Sequence, residues 1–127
     1  MTEALYREAW KHFSDEAIKN TKKIQELNDR LRKLPPRTQD MVVCVGALAN
    51  QNALFQALVA AAARDFDAFT EKNDPHGEHD CATFEVQGAK FMFKIDYYDL
   101  DLKFGSDEPW RPEITRRVMT LMYAEDY

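Results

Sequence analysis

Apolar residues near the N-terminus recur at the spacing of a helix. Leu5, Ala9 and Phe13 are four residues apart, which predicts one or two helical turns before Ser14. Ser14 has the pattern of a helix N-cap because two acidic residues follow it, so we expect a second helix from there to a pair of prolines. The apolar stripe of this second helix comprises Ile18, Ile24, Leu27, Leu31 and Leu34. The stripe is narrow, which indicates a helix that packs along one side only.

The pattern then changes to a short valine-rich run and a broad helical stripe. Residues 41–45 are stopped by Gly46, and we predict a buried strand there. Asn50 or Asn52 suits the N-cap of a helix that runs to about Thr70. Its apolar face is expected to contain Leu54, Phe55, Leu58, Val59, Ala62, Phe66 and Phe69. This face is broad enough for the main core helix.

Two strand-like segments follow, 81–86 and 89–97, and the pair Gln87-Gly88 between them suits a two-residue hairpin turn. That turn fixes which residues face each other across the hairpin. The predicted pairs are Ala82 with Phe93 and Phe84 with Phe91 on an apolar face, and Glu85 with Lys90 on a polar face.

The same register, continued toward the open end of the hairpin, places polar residues opposite each other. Cys81 falls opposite Lys94, and His79 falls opposite Asp96. We therefore predict a hydrogen bond between His79 and Asp96 that holds this end of the hairpin.

The last third of the chain contains two more alternating segments. Residues 99–104 are expected to form a third strand beside the hairpin, and residues 115–123 a final strand, with a helix as the alternative for the latter. These elements predict one α+β domain over residues 1–127. In it, N-terminal helices and one core helix pack on an antiparallel sheet of four to five strands.

Charge is distributed unevenly along this chain of net charge -5. Residues 1–64 carry ten basic and seven acidic side chains, giving +3, whereas residues 65–108 carry four and twelve, giving -8. An acidic surface repels nucleic acid and attracts a basic protein partner, so direct nucleic-acid binding is disfavoured. No apolar run approaches a membrane span, and Cys44 and Cys81 form no paired motif, so we expect a cytoplasmic protein with reduced thiols.

The densest candidate chemistry lies in residues 73–80 and 94–99. The side chains expected to form a structural or functional network are Asp74, Glu78, His79, Asp80, Lys94 and Asp96. From the same two segments, His76, His79 and Asp96 could bind one divalent metal such as zinc. The alternative is a structural corner without a cofactor, in which Asp74 caps a turn shaped by Pro75 and Gly77.

Catalytic arrangements of the same residues are incomplete. His79, oriented by Asp96, could act as a general base, or Lys94 could activate Cys81 as a thiolate. Neither arrangement has a nucleophile elbow or a glycine loop for phosphate around it. We therefore treat a metal-dependent hydrolase using His76, His79 and Asp96 as the alternative, and a binding function without a cofactor as the main expectation.

An aromatic and acidic stretch provides a candidate protein-binding surface. Its residues are Tyr97, Tyr98, Asp99, Asp101, Asp107, Glu108 and Trp110. Tyrosine and tryptophan are favoured anchors of interfaces, and the acids suit a basic partner. Trp110, in a loop flanked by prolines, is the residue that we single out. The alternative is that the aromatics belong to the core and the acids are merely solvated.

Several motifs together resemble one uncharacterised family of small bacterial proteins, catalogued as a domain of unknown function and frequent on plasmids and other mobile elements. The motifs are Leu27-Asn28-Asp29, Phe66-Asp67-Ala68-Phe69, the segment 73–80, the segment 94–99, Gly105-Ser106-Asp107 and the C-terminal segment from residue 115. The resemblance covers residues 24–127 and leaves residues 1–23 as a helical N-terminal extension. It implies no activity, because none is established for the family.

The functional expectation combines these observations. Small size, acidic charge, incomplete catalytic groups and the resemblance to proteins of mobile elements favour a non-enzymatic protein-binding module. The specific hypothesis is an inhibitor of a host defence complex, of the anti-CRISPR or anti-restriction type. A regulatory or structural oligomer, for example a homodimer, is a third hypothesis.

Overall fold

Two helices pack on one face of a four-stranded sheet in the computed structural model, which describes residues 2–127. The long elements are α1 (Glu3–Lys33), β1 (Met41–Cys44), α2 (Ala53–Asp65), β2 (Cys81–Val86), β3 (Ala89–Tyr98) and β4 (Arg116–Tyr123). Short 3-10 turns follow β1 (Gly46–Asn50), precede β4 (Pro112–Ile114) and follow it (Ala124–Asp126). The predicted α+β class is confirmed, and the last segment is a strand. No helix within residues 2–127 has the length and apolar character that a bilayer crossing requires.

The strand order across the sheet is β1-β4-β3-β2. The pairs β2–β3 and β3–β4 are antiparallel, but β1 runs parallel to β4, so the sheet is mixed rather than antiparallel. Within residues 2–127 only four strands form, because residues 99–104 make a tight loop that an isolated bridge between Tyr98 and Gly105 closes. The predicted third strand is wrong, since Leu102 adopts a φ of 59°, which a strand cannot accommodate.

The β2–β3 hairpin has the predicted register. Ala82 pairs with Phe93, Phe84 with Phe91, Glu85 with Lys90 and Cys81 with Lys94. Gln87 and Gly88 both adopt a positive φ, as a two-residue hairpin turn with right-handed twist requires. Alternate residues of β3 therefore face the helices, and Phe91, Phe93 and Ile95 lie in the core. The even-numbered residues of β3, such as Lys94 and Asp96, lie on the opposite face of the sheet.

α1 is one continuous helix, so the predicted break at Ser14 is wrong. The N-cap is Thr2, whose hydroxyl oxygen accepts a hydrogen bond from the Leu5 amide at 3.2 Å. A serine followed by acids costs little in a helix interior, so local sequence does not interrupt the helix. The middle of the predicted stripe packs on the domain, with Ile24 and Leu31 buried, whereas Ile18 and Leu34 at its two ends are 68% and 49% exposed.

α2 begins where predicted and ends earlier. The Asn52 side chain caps it by accepting a hydrogen bond from the Phe55 amide at 2.8 Å, and the helix ends at Asp65 rather than near Thr70. Its buried residues are Val59 and Ala63. Leu54 and Leu58, predicted for the core face, are exposed. Phe66 and Phe69 still pack against the core, but from the loop that follows the helix.

β1 lies at an edge of the sheet and is less buried than predicted. Met41 and Val42 are exposed, and Val43 and Cys44 are half-buried. The valine-rich run therefore reflects β propensity and not complete burial.

Capping by Asn52 and the interior position of Ser14 give a matched test. We expect Asn52→Ala to lower the free energy of unfolding by about 1 kcal/mol, because α2 loses its N-terminal hydrogen bond. Ser14→Ala should leave it unchanged or slightly raised, because alanine is the better residue inside a helix. Chemical denaturation followed by circular dichroism measures both. A loss for Ser14→Ala as large as that for Asn52→Ala would contradict the continuous helix.

Candidate functional site

A fully buried asparagine, Asn28 of α1, is the centre of a polar network between the helix and the sheet. Its Nδ2 donates to the Tyr97 hydroxyl oxygen at 2.8 Å and to the Glu78 carbonyl oxygen at 3.0 Å. Its Oδ1 accepts from Nε of Arg117 at 3.0 Å. Both Nδ2 and Oδ1 of this buried amide thus have hydrogen-bond partners. These partners lie on three other segments of the chain.

Arg117 and Tyr97 complete this network from adjacent strands. The Arg117 guanidinium lies over the Tyr97 ring at 5.2 Å and donates to the Pro109 carbonyl oxygen. The Tyr97 hydroxyl donates to a Glu78 carboxylate oxygen at 2.7 Å. Burial lowers the pKa of Arg117. Burial and the bond to Glu78 raise the pKa of the Tyr97 phenol, which stays a hydrogen-bond donor at every physiological pH.

A second polar cluster joins α1 to the end of α2. Nη1 of the buried Arg32 donates to the carbonyl oxygens of Ala63 and Phe66, each at 2.8 Å, and so caps the C-terminus of α2. Nη2 of Arg32 donates to Oδ1 of Asp29 at 2.7 Å. The same Asp29 oxygen lies 2.9 Å from Nδ1 of His79. Asp29 therefore links the helix cap to the loop that carries His79.

His79 does not bond to Asp96, so the predicted pair at the hairpin end is wrong. The backbone of His79 has a φ of 54°, which takes it out of the strand register. Both carboxylate oxygens of Asp74 accept from the His79 amide, and the imidazole stacks on the Phe69 ring with centroids 3.9 Å apart. Asp96 instead accepts from Nζ of Lys94 at 2.8 Å. The two side chains thus belong to opposite faces of the sheet.

The predicted metal ligands are not brought together. His79 faces Asp29, with Asp74 Oδ2 at 3.7 Å from its Nε2, while Asp96 pairs with Lys94 and His76 is exposed in the loop. Across residues 2–127 no group of three or more His, Cys, Asp or Glu side chains is placed to hold a metal ion. His76, His79 and Asp96 thus have separate surroundings in the described chain, and metal binding stays a prediction.

The residues of the predicted catalytic arrangements have other partners in the structure. Cys81 lies opposite Lys94 as expected, but burial and then the negative charges of Asp80 and Asp74 raise the pKa of its thiol. Lys94 is already paired with Asp96. The His79–Asp29 pair borders a shallow pocket of about 70 Å³, and the hydrogen bonds of the imidazole within the described chain go to no hydroxyl or thiol. The bond between His79 and Asp29 holds the loop 74–80 against α1.

Asp74 caps a turn in that loop, as predicted. Asp74 is buried and accepts hydrogen bonds from the His79 amide, and its carbonyl oxygen accepts from the Gly77 amide at 3.1 Å. Gly77 adopts a φ of 68°, which favours glycine. The Asp80 carbonyl oxygen accepts from the Ile95 amide at 2.7 Å and extends the hairpin by one bond. Burial, followed by repulsion from Glu78, raises the pKa of the Asp80 carboxyl.

The aromatic and acidic stretch divides between structural and exposed residues. Tyr97 belongs to the buried network, and Asp99 shapes the loop, because its Oδ1 accepts from the amides of Asp101 and Lys103, each at 3.1 Å. Glu108 is paired with Arg111 at 2.8 Å, and Tyr98 is half-buried beside the bridge to Gly105. The two residues of this set that are simply exposed are Asp101 and Asp107.

Trp110 is half-buried and faces the middle of α1 across an open cleft of about 580 Å³. The helix side of this cleft is lined by residues between 16 and 26. The role of Trp110 as an interface anchor stays a prediction.

A surface that sequence reasoning missed is the loop tip, by which we mean residues 100–104. Leu100 and Leu102 are exposed and Phe104 is 74% exposed. The alternation of these residues with charges predicts a strand, whereas the structure has a loop there. The sequence indicates the networks around Asn28 and Asp29 only weakly. These two polar residues interrupt the apolar stripe of α1 and belong to a motif that resembles a family pattern.

Comparison with protein families gives one match. A model described as a protein of unknown function, DUF3768, matches residues 21–126. Comparison with curated proteins and with solved structures gives no match. The match starts at the point where α1 begins to pack on the domain, and it includes both polar clusters and the loop tip.

Removal of the Asn28 amide should be strongly destabilising. Asn28→Leu fills the same space but leaves the Arg117 guanidinium without a side-chain acceptor, so we expect a loss of about 3 kcal/mol in the free energy of unfolding. Lys22→Leu, at an exposed position of the same helix and without these bonds, is the control and should change it by less than about 0.5 kcal/mol. Urea denaturation measures both, and equal effects of the two variants would contradict a central role for Asn28.

Asp80 should make the stability depend on pH. Because its folded pKa lies above the ordinary value of 3.8, stability is lost as the pH rises through the folded pKa. We expect Asp80→Asn to raise the melting temperature at pH 7, and the gain to shrink as the pH falls toward 4. Asp67→Asn, at an exposed position, is the control. Thermal melts at several pH values measure this, and a gain that grows on acidification would refute the assignment.

Proposed function

The chain belongs to the DUF3768 family of proteins of unknown function, and we propose that it is a non-enzymatic protein-binding module that contacts its partner through the loop tip. The observation that carries this proposal is the exposure of Leu100, Leu102 and Phe104 on a loop that is nevertheless well ordered by hydrogen bonds. Exposed apolar groups rimmed by charge are typical of protein interaction sites.

Preorganisation of the loop supports this proposal. The Asp99 side chain accepts two backbone hydrogen bonds, and the Asp99 amide donates to the Phe104 carbonyl oxygen at 2.9 Å. The Ser106 amide donates to the Tyr97 carbonyl oxygen at 3.0 Å, so the loop is attached to a residue of the buried network. A loop that is already fixed loses little conformational entropy when it binds, which favours affinity.

The charge around the tip indicates the kind of partner. Asp101 lies within the tip and Asp107 follows it, both exposed, in a segment of the chain with net charge -8 for residues 65–108. Acidic groups around an apolar centre complement a basic surface with an apolar pocket and increase the rate of encounter with it. We propose that Phe104 fills such a pocket, with Asp101 and Asp107 at the rim.

A narrower form of the proposal is inhibition of a host defence complex, of the anti-CRISPR or anti-restriction type. Such complexes bind nucleic acid through basic surfaces, and a small acidic protein can compete for such a surface. The resemblance to proteins that are frequent on plasmids and other mobile elements supports this form. This form of the proposal requires no catalysis by the chain.

The loop tip can be tested with a closely matched control. Phe104 and Leu54 are 74% and 75% exposed, but Leu54 lies on α2, outside the loop. We expect Phe104→Asp to abolish capture of the specific partners that the wild-type protein retains from a bacterial lysate, as quantified by mass spectrometry. Leu54→Asp should retain them, and both variants should keep the wild-type melting temperature. Unchanged capture by Phe104→Asp would refute the loop tip as the binding surface.

The narrower form needs a separate readout. In cells with an active CRISPR or restriction system, expression of the wild-type protein should raise the efficiency of plasmid transformation, and Phe104→Asp should not. If partners are captured through the loop tip but transformation is unchanged in both backgrounds, the binding proposal stands and the anti-defence form is wrong.

A further inference from the structure

The first half of α1 extends from the domain without a partner. We call residues 3–20 the arm. Within the described chain, no hydrogen bond or ion pair joins residues 2–19 to a residue beyond α1. The arm nevertheless carries four large apolar residues that are 56–64% exposed: Leu5, Tyr6, Trp10 and Phe13. An exposed apolar stripe of this size on a free helix is typical of an interaction surface.

The exposed stripe continues the seam by which α1 packs on its own domain. Two rows of residues spaced by seven form this seam, Tyr6, Phe13, Asn20 and Leu27 in one row, and Trp10, Ala17, Ile24 and Leu31 in the other. These are the a and d positions of a heptad repeat, the pattern of helices that pair side by side. Ile24 and Leu31 are buried by the domain, whereas the members of both rows up to Ala17 are exposed.

We propose that the arm pairs with the arm of a second copy of this chain, as an antiparallel two-helix coiled coil. The direction follows from the seam. From Ile24 onward, the seam of each helix is covered by the domain of the same copy. In a parallel pair, both domains would therefore lie at the same end of the paired arms. An antiparallel pair places the domains at opposite ends, about 27 Å apart along 18 shared residues of helix.

Full overlap of the two arms sets the contacts. The first residue of each arm then lies beside the last residue of the other arm. This register brings Trp10 across from Phe13 of the second copy. Tyr6 then faces Ala17 of the second copy, so a large side chain meets a small one. Trp10 and Phe13 already stack within one arm, with ring centroids 5.8 Å apart. Four such rings at the centre form an aromatic core of favourable geometry.

The size and charge of the arm fit a second copy. An aromatic side chain removes about 150–250 Å² from water when it is buried, so two arms with their flanking stems bury about 1,000 Å², near the lower limit of stable interfaces. The arm carries four acidic and three basic side chains, giving -1, so two arms repel each other only weakly. Helices that bind anionic membranes are instead rich in lysine and arginine on the polar face.

Analytical ultracentrifugation tests the dimer. We expect the wild-type protein to be dimeric at roughly 100 μM, since interfaces of this size are weak. Phe13→Glu and Trp10→Glu should be monomeric at that concentration. Ile18→Glu is the matched control, because Ile18 is 68% exposed on the same helix but lies outside the seam, and this variant should remain dimeric. A monomeric wild-type protein, or a dimer that persists in Phe13→Glu, would overturn the proposal.

Two further measurements distinguish the alternatives. In a mixture of Trp10→Cys and Phe13→Cys proteins, mild oxidation should crosslink one variant to the other, whereas a parallel pair would crosslink each variant to itself and would overturn the antiparallel geometry. Binding of monomeric wild-type protein to vesicles with phosphatidylserine would show that a membrane covers the arm and would also overturn the proposal. Phe104→Asp should leave the dimer intact, so failure of either binding surface can be recognised separately.

Discussion

The fold depends on satisfying one buried positive charge. The Arg117 side chain lies inside the protein, where an unpaired guanidinium would be very costly, and its partners come from distant parts of the chain. Asn28, which accepts from Nε, is 89 residues away along the chain, and the Asp40 side chain, which accepts from the Arg117 amide, is 77 residues away. These bonds fix α1, the start of β1 and the Pro109 loop in relation to the sheet.

The second arginine acts in a similar way on α2. A helix of 13 residues is short for independent stability, and the carbonyl groups at its end need donors. Arg32 provides them from α1 and stacks over the rings of Phe69 and Phe93. α2 is therefore stabilised by a side chain of another helix, and the two helices cannot be considered separate units. The hydrogen bonds of the buried Arg32 thus hold the two helices together.

Local features of the sequence predicted the local structure well. The hairpin register follows from a two-residue turn and an alternating pattern, both of which involve neighbouring residues, and the cap of α2 depends on Asn52 alone. The role of His79 could not be predicted in the same way. His79 itself adopts a left-handed backbone conformation, so its side chain meets Asp29, which is 50 residues away from it along the chain, and not Asp96. The predicted strand at residues 99–104, which includes Leu100, Leu102 and Phe104, is wrong because an alternating pattern also occurs in ordered loops. Long-range polar partners leave no periodic signal in a single sequence.

The edge strand β1 has a consequence for the synthesis of the protein. Its residues 41–44 form a ladder with β4 alone, and β4 leaves the ribosome after the other three strands of this sheet. The hairpin can pair as soon as residue 98 has emerged, since its contacts are local. β1 must wait, with a row of valine and methionine and open backbone groups, until residues 118–121 are available. During this interval the nascent chain carries an unpaired apolar edge, and the rate at which the final segment is translated sets how long other chains can pair with it.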